Sequence, residues 1–477
     1  MVPYLDKSAN IVLNSGEKGI CVFRNAINDL KSWASKENRK PLVLRGARQV
    51  GKSTLVKLFC KEVGLELIEI NLEKNKIKEL ENETRFSILR VLEEIEVISG
   101  KKINQNSLVF LDEIQSQPIS FNRLRYFYEE KPELKIIAAG SLLEVSLDKE
   151  SFSMPVGRVE QYHLGPMTFL EFLKVKNEDI VLEQILKLNK KIAPTEALNL
   201  KAIELLKEFY FIGGMPECVN EFIKTRDFKK VREIQIDLLN TYREDIPKYT
   251  QRKQGERVEE VFEYTPLHLG EKVQFTNIST AHSEKIKEAI QLLTKAHIIY
   301  PAFHNSCTGL PLKAGADLAV FKLYFLDVGL YNAKTGLEWK DFLNLNSEEL
   351  ITKGKMAEQF IAQHLYFREP RQISELYYWL RGGKKNAAEV DFIISNGTNI
   401  YPLEVKAGST GKMRSLWQYV YEKKPKMALK FDLAHRGNPL SINSFSVQTN
   451  EGIKSIECPL ISAPLYAIEN LQNYLSD

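Results

Sequence analysis

Over the first 250 positions, apolar residues fall into short unbroken runs separated by longer stretches where they recur every three or four residues. Unbroken runs bounded by turn residues read as strands buried on both faces, and the wider spacing reads as helices with one apolar side. Strands are therefore expected at residues 41–44, 65–72, 107–111, 135–139 and 160–164, with helices between them, notably at 52–63 and 121–129. This alternation predicts a layered α/β unit. From Met167 to about Tyr249 the spacing is mostly helical, interrupted by the turn signal Gly213-Gly214-Met215-Pro216. A third stretch, from about Gln254 to Leu337, has a helical pattern at 283–296 and then a hairpin pattern at 298–303 and 320–326, an order that suggests a winged helix. The last stretch opens near Gly354 with an amphipathic helix at 356–367, followed by strands at 376–380, 390–395 and 400–405. The expected units are residues 1–166, 167–250, 251–345 and 346–477.

Composition narrows the class without naming a function. With 44% hydrophobic and 27% charged residues over 477 positions, wholesale disorder is excluded. The formal charge of +4 is spread through mixed-sign stretches such as 224–232, the pattern of solvated helix faces and not of a basic nucleic-acid groove. No apolar run approaches the ~18 residues of a membrane helix, and Asp6 and Lys7 interrupt any secretory segment. Five scattered cysteines, never in C-x-x-C spacing, argue against a disulfide framework and a zinc knuckle. The expectation is a soluble, multidomain, cytoplasmic protein with no membrane partner. The seven histidines show no metal-ligand spacing and no G-x-S-x-G elbow is present, so metalloprotease and serine-hydrolase chemistry have no support.

One motif carries specific chemistry. Gly46-Ala47-Arg48-Gln49-Val50-Gly51-Lys52-Ser53 fits G-x-x-x-x-G-K-[ST] between an expected strand and an expected helix, with Thr54 following. Glycines let backbone N–H groups turn inward around phosphates, and the helix N-terminus adds the positive end of its dipole. Lys52 would reach the terminal phosphates of ATP and Ser53 would ligate Mg2+. The run 107–111 then delivers Asp112 for magnesium and Glu113 to polarise the attacking water; a helix cap or a solvated turn is the bland alternative. Ser141, after the strand at 135–139, would sit beside the γ-phosphate, or is simply a small turn residue. Arg158 is a candidate to stabilise transition-state charge, in the same chain or across a subunit interface, with Arg48, Arg123 and Arg125 as rivals and a surface salt bridge as the alternative.

A second constellation lies near the C-terminus. Asn396-Gly397 between two apolar runs predicts a hairpin in which Asp391 faces Pro402 and Glu404 is its diagonal neighbour, about 7–8 Å away. Lys406 shares that face, opposite an apolar face of Val390, Phe392, Ile394, Tyr401, Leu403 and Val405. Asp391 and Glu404 would bridge a hard cation, Lys406 would orient a water or stabilise a phosphate, and Glu358 could add a further acid. The alternative is an amphipathic hairpin whose polar face meets solvent. Basic residues near the hairpin (Arg381, Lys384, Lys385, Lys412) would neutralise only a few phosphates, so DNA binding is expected to be weak and non-specific.

Taken together, the segments 44–53, 110–115, 139–141, 157–158, 164–172, 213–217, 321–330 and 354–358, with Glu389-Val390-Asp391 and Leu403-Glu404-Val405-Lys406-Ala407-Gly408, resemble a large prokaryotic family of predicted AAA-superfamily ATPases. The resemblance spans nearly the whole chain. It implies an AAA-type P-loop ATPase domain, a helical and winged-helix middle, and an uncharacterised restriction-endonuclease-like α/β domain at the end. ATP and Mg2+ are the implied ligands, with a homo-oligomer, DNA or a protein as possible partners. A nucleotide-gated binding switch without nuclease activity is the competing function.

Overall fold

The computed structural model describes residues 23–82, 86–140, 155, 157–250, 252–344, 354–383, 388–407, 413–433, 437–449 and 452–476. Ser141, Lys384, Lys385 and Lys412, named above, lie outside the described residues.

Five parallel strands form the first sheet: β1 (Leu42–Arg45), β2 (Glu66–Asn71), β3 (Ser107–Asp112), β4 (Lys135–Ala139) and β5 (Glu160–His163), in the order β2-β3-β4-β1-β5. Alternation along the strands splits the core between the two faces. Leu42, Leu44, Leu108 and Phe110 pack with Trp33, Leu55 and Phe59 of the helices Ala26–Ala34 and Lys52–Val63. Val43, Val109 and Leu111 pack on the other side with Val91, Phe121 and Leu124 of the helices Ile88–Ser99 and Ile119–Glu130. Strand order matters for the site. The strand leading into the glycine loop, β1, is separated from the acidic strand β3 by β4, so the end of β4 lies between the two.

Helices Phe169–Val175, Asp179–Leu186, Glu196–Ile212, Pro216–Thr225 and Phe228–Tyr249 follow. The third stretch contains helices Arg252–Leu267 and Ser283–Lys295 and a hairpin of β6 (Ile299–Asn305) with β7 (Ala316–Phe325).

The second sheet spans two of the expected units. The second sheet has eight strands, ordered β12-β13-β11-β10-β9-β8-β6-β7, where β8 is Leu376–Leu380, β9 Glu389–Asn396, β10 Asn399–Lys406, β11 Ala428–Asp432, β12 Leu440–Thr449 and β13 Gly452–Pro464. The expected wing is therefore not free. Strand β6 pairs with β7 on one side and, in parallel, with β8 on the other, so the division at residue 345 cuts through a continuous sheet. Among the described residues no helix is long and apolar enough to cross a membrane.

Candidate functional site

Strand β1, buried along its length, delivers the chain into the glycine loop at one sheet edge. Gly46 has φ +133°, and a Cβ there would come 2.1 Å from the Leu164 carbonyl oxygen, so no other residue fits. The helix beginning at Lys52 has Gly51 as its N-cap and no side-chain cap, which leaves its first N–H groups turned toward the position an anion would take. Lys52 is buried and folds back over the loop, its Nζ donating to the carbonyls of Gly46 (2.9 Å) and Ala47 (2.8 Å). Ser53 Oγ donates to Asp112 Oδ2 at 2.8 Å, bringing the two expected magnesium ligands together. Burial holds the Asp112 carboxyl above its ordinary pKa, opposed by the Ser53 hydrogen bond. Glu113 follows in the left-handed region (φ 53°), and its carboxylate accepts from the Gln115 amide. Gln115 in turn lies against Gly140 at the end of β4.

The remaining loop residues face the helical region. Arg48 pairs with the buried Asp245 through Nε and Nη1, both at 3.1 Å, and Tyr242 donates to the Arg48 carbonyl at 2.8 Å. Arg48 thus ties the loop to helix Phe228–Tyr249 and is turned away from the role of phosphate cation. Pro216 packs against Gly51. Val50 is buried, with its carbonyl accepting from Arg24 Nη1 at 3.2 Å; Gln49 takes φ 61° and Thr54 lies half-buried on the first helical turn.

Arg158 lies at the other edge of the sheet. Because β1 and β5 run parallel with Leu42 beside Glu160, a residue preceding β5 is separated from the loop by the length of β1, roughly 10 Å. It is exposed and pairs with Glu129 at 2.8 Å. In this chain Arg158 thus makes the surface salt bridge that was the alternative, and it lies away from the loop. Arg123 donates to the Leu80 carbonyl and stacks on Phe86, and Arg125 lies over Tyr126.

At the C-terminal cluster, the hairpin register differs from expectation by two residues. Asn396 pairs with Asn399, making Gly397-Thr398 the loop. Gly397 has φ 58° and Thr398 has no positive φ, which is the pattern of a turn with glycine at its first central position. The shift sets Asp391 next to Glu404 instead of Pro402, and the pairing with β8 skips one residue at Asp391, so a bulge aims its side chain. Asp391 Oδ2 accepts from the Val405 N–H at 2.7 Å. Phe392, Tyr401, Leu403 and Val405 share one core as expected, but the other face is buried as well, with Ile393 and Ile400 against Leu416 and Tyr419 and Glu404 only 4% exposed, so the solvated-hairpin alternative fails. Lys406 bonds Glu404, and Glu358 joins from helix Gly354–Tyr366. Burial and the neighbouring carboxylates hold Asp391 well above its ordinary pKa; burial raises Glu404 as well, against the pull of Lys406.

The sequence reading missed Lys322, which is buried on β7 and pairs with Glu358 (3.1 Å) and Glu389. Its neighbour in the chain, Asp327, was likewise missed: fully buried, it accepts from the N–H groups of Gly214, Gly329 and Leu330. Local spacing holds no signal for Lys322, because its partners are distant in sequence; Asp327 is also the N-cap of the helix Val328–Lys334, a role an Asp ahead of a helical pattern can suggest, but its bond to Gly214 is not local.

Three stretches match family models: residues 38–173 an AAA domain, residues 203–341 a domain of unknown function, and residues 353–450 a second domain of unknown function. The P-loop unit is of the AAA type. No curated protein matches the chain. Among solved structures, the Thermotoga maritima RuvB Holliday junction branch migration motor is 13% identical, covering 58% of this chain and 89% of that one with a TM-score of 0.29. The C. elegans PCH-2 structure is 14% identical, covering 44% and 65%, with a TM-score of 0.28. Neither likeness is strong enough to say what this chain does.

The AAA unit meets the C-terminal sheet domain across a cleft of about 710 Å3 lined by Arg24, Tyr162, Glu171, His364 and Glu469, among others. Glu171 closes a capping box with Thr168 at helix Phe169–Val175, and Arg24 links Glu171 to the Val50 carbonyl. From the other side, Glu469 accepts from the Leu170 N–H and His364 Nε2 from the Phe169 N–H. Burial pushes Glu469 from 4.5 up to about 8 and His364 from 6.5 down to about 4, so their 3.7 Å approach is not an ion pair at neutral pH. A carboxyl raised in the folded state contributes stability that is full below pH 4.5 and is lost as pH rises through 8. The urea midpoint is thus expected to fall between pH 6 and 9. Glu469→Gln, which keeps the acceptor oxygen but cannot ionise, should flatten that decline.

Proposed function

We propose that the chain binds Mg-ATP at the Gly46–Ser53 loop and hydrolyses it, coupling the nucleotide cycle to a restriction-endonuclease-like C-terminal domain that contacts nucleic acid or a protein partner. One observation carries this reading: Lys52, Ser53, Asp112 and Glu113 converge at one edge of a parallel sheet, beside an uncapped helix N-terminus. Lys52 would leave the loop carbonyls for the phosphate oxygens, and Glu113, held by Gln115, would orient the attacking water. Ser53 and Asp112 would hold the magnesium ion, which when bound screens phosphate charge. The test is an ATPase assay with and without duplex DNA, followed by a nicking assay. No release of phosphate from ATP under any condition would refute the ATPase reading.

Arg158 is exposed, and as the arginine acting across a subunit interface it would require assembly. Mixed Arg158→Ala and Glu113→Gln subunits are expected to regain part of the activity that each lacks alone. Absence of complementation in a mixed oligomer would remove Arg158 from the reaction.

The second reading, a nucleotide-gated switch without nuclease activity, is favoured by Lys322 lying among the acids at the C-terminal cluster. As arranged, these residues do not fit a metal ion: Lys322 and Lys406 are bonded to the carboxylates, and among the described residues no group of three or more acids, histidines or cysteines could hold one. DNA affinity is expected to be weak, since Arg381 is already paired with Glu422.

A further inference from the structure

The acid cluster of the C-terminal sheet is completed by a side chain from the preceding stretch of chain. Lys322 projects from β7, separated from β9 in the sheet order by β6 and β8. Its side chain is 1% exposed and passes Tyr378, with Nζ 5.0 Å from the ring centroid, before reaching the Glu358 and Glu389 carboxylates. Tyr324, two residues further along β7, donates to the same Glu358 oxygen. The ammonium also lies close enough to Asp391 and Glu404 to stabilise the charge on both. Four carboxylates (Glu358, Glu389, Asp391, Glu404) thus face two ammonium groups, Lys322 and Lys406.

A buried ammonium and a divalent cation compete for the same carboxylate oxygens. The lysine is tethered, so its effective concentration at the cluster is high, and a metal ion brought beside it would meet like charge in a poorly screened interior. Burial alone would make an isolated Lys322 shed its proton, but the carboxylates outweigh that and hold it firmly charged. We propose that Lys322 is the built-in counter-cation of this cluster and excludes divalent metal from it, so that the C-terminal site can take up an ion only when β7 draws the lysine away. The proposal rests on reading Asp391 and Glu404 as cation ligands, and not on ATP hydrolysis.

Mn2+ binding to the full-length protein, followed by electron paramagnetic resonance without nucleotide or nucleic acid, tests it. Asp391→Asn serves as the control that isolates this site from Ser53 and Asp112. Wild type and Lys322→Arg are expected to show no Asp391-dependent binding. Lys322→Gln and Lys322→Met should each gain one Asp391-dependent Mn2+ per chain that the wild type lacks. Asp391-dependent Mn2+ binding by the wild type would overturn the proposal, whether or not the variants fold. So would folded Lys322→Gln and Lys322→Met, by circular dichroism, that gain no ion. Neither result touches the ATPase reading, because no nucleotide is present.

Discussion

Lys52→Ala is expected to abolish measurable ATP binding and to lower turnover by at least about 10²–10³-fold, the usual loss when one preorganised charge partner of a reacting centre is removed. The reason lies in where the ammonium is held. Lys52 is buried at the first turn of a helix, with its Nζ bound to the carbonyls of Gly46 and Ala47. A short movement would exchange two neutral acceptors for charged phosphate oxygens, adding the attraction of opposite charges to bonds whose donor is already ionised. Glu113→Gln should separate binding from chemistry. The amide keeps an oxygen for Gln115 but is a poor base, so ATP should stay bound while hydrolysis stops. Equilibrium binding of a fluorescent ATP analogue, beside phosphate release, reads both variants. Undiminished turnover in Lys52→Ala would overturn the assignment of the loop.

The second large effect is structural. Asp327→Ala is expected to destabilise the protein by about 3–5 kcal/mol, because it leaves three buried backbone N–H groups without their acceptor, at about 1–3 kcal/mol each. The carboxylate accepts from Gly214 (2.7 Å), Gly329 (2.9 Å) and Leu330 (3.1 Å), and so joins the turn before helix Pro216–Thr225 to the end of β7. Asp327→Asn, which retains an acceptor, should lose less. Thermal melting would show Asp327→Ala falling by roughly 6 °C or more, and a fall no larger than that of Asp327→Asn would mean that the carboxylate charge does not hold this junction.

Much of the first sheet was legible because strands buried on both faces leave unbroken apolar runs. The helix Lys52–Val63 and the strands Lys135–Ala139 and Leu376–Leu380 fall where the pattern puts them. The order of strands was not legible, since nothing local to residues 135–139 says that they insert between β1 and β3. The last three strands were missed for a different reason. In β12 the apolar positions change phase between Ile442, which is exposed, and Val447, which is buried, so no period-2 signal survives. At the C-terminal site the acids and Lys406 were readable from their spacing, but the register depended on which residue of the turn adopts positive φ. Lys322 was out of reach, because its partners Glu358 and Glu389 are brought to it only by the folded sheet.

The shared sheet has a consequence for how this protein can be divided and how it can have changed. A fragment beginning near residue 350 would keep β8 but discard β6, exposing the backbone edge of a strand whose side chains are buried along its whole length. Such an edge invites pairing with other chains, so the fragment should aggregate, whereas one that begins ahead of the helix Ser283–Lys295 keeps the strand covered. By the same logic the stretch carrying β6 and β7 cannot be exchanged for that of a relative unless the sheet it completes travels with it. The two should therefore be inherited, and engineered, as one piece.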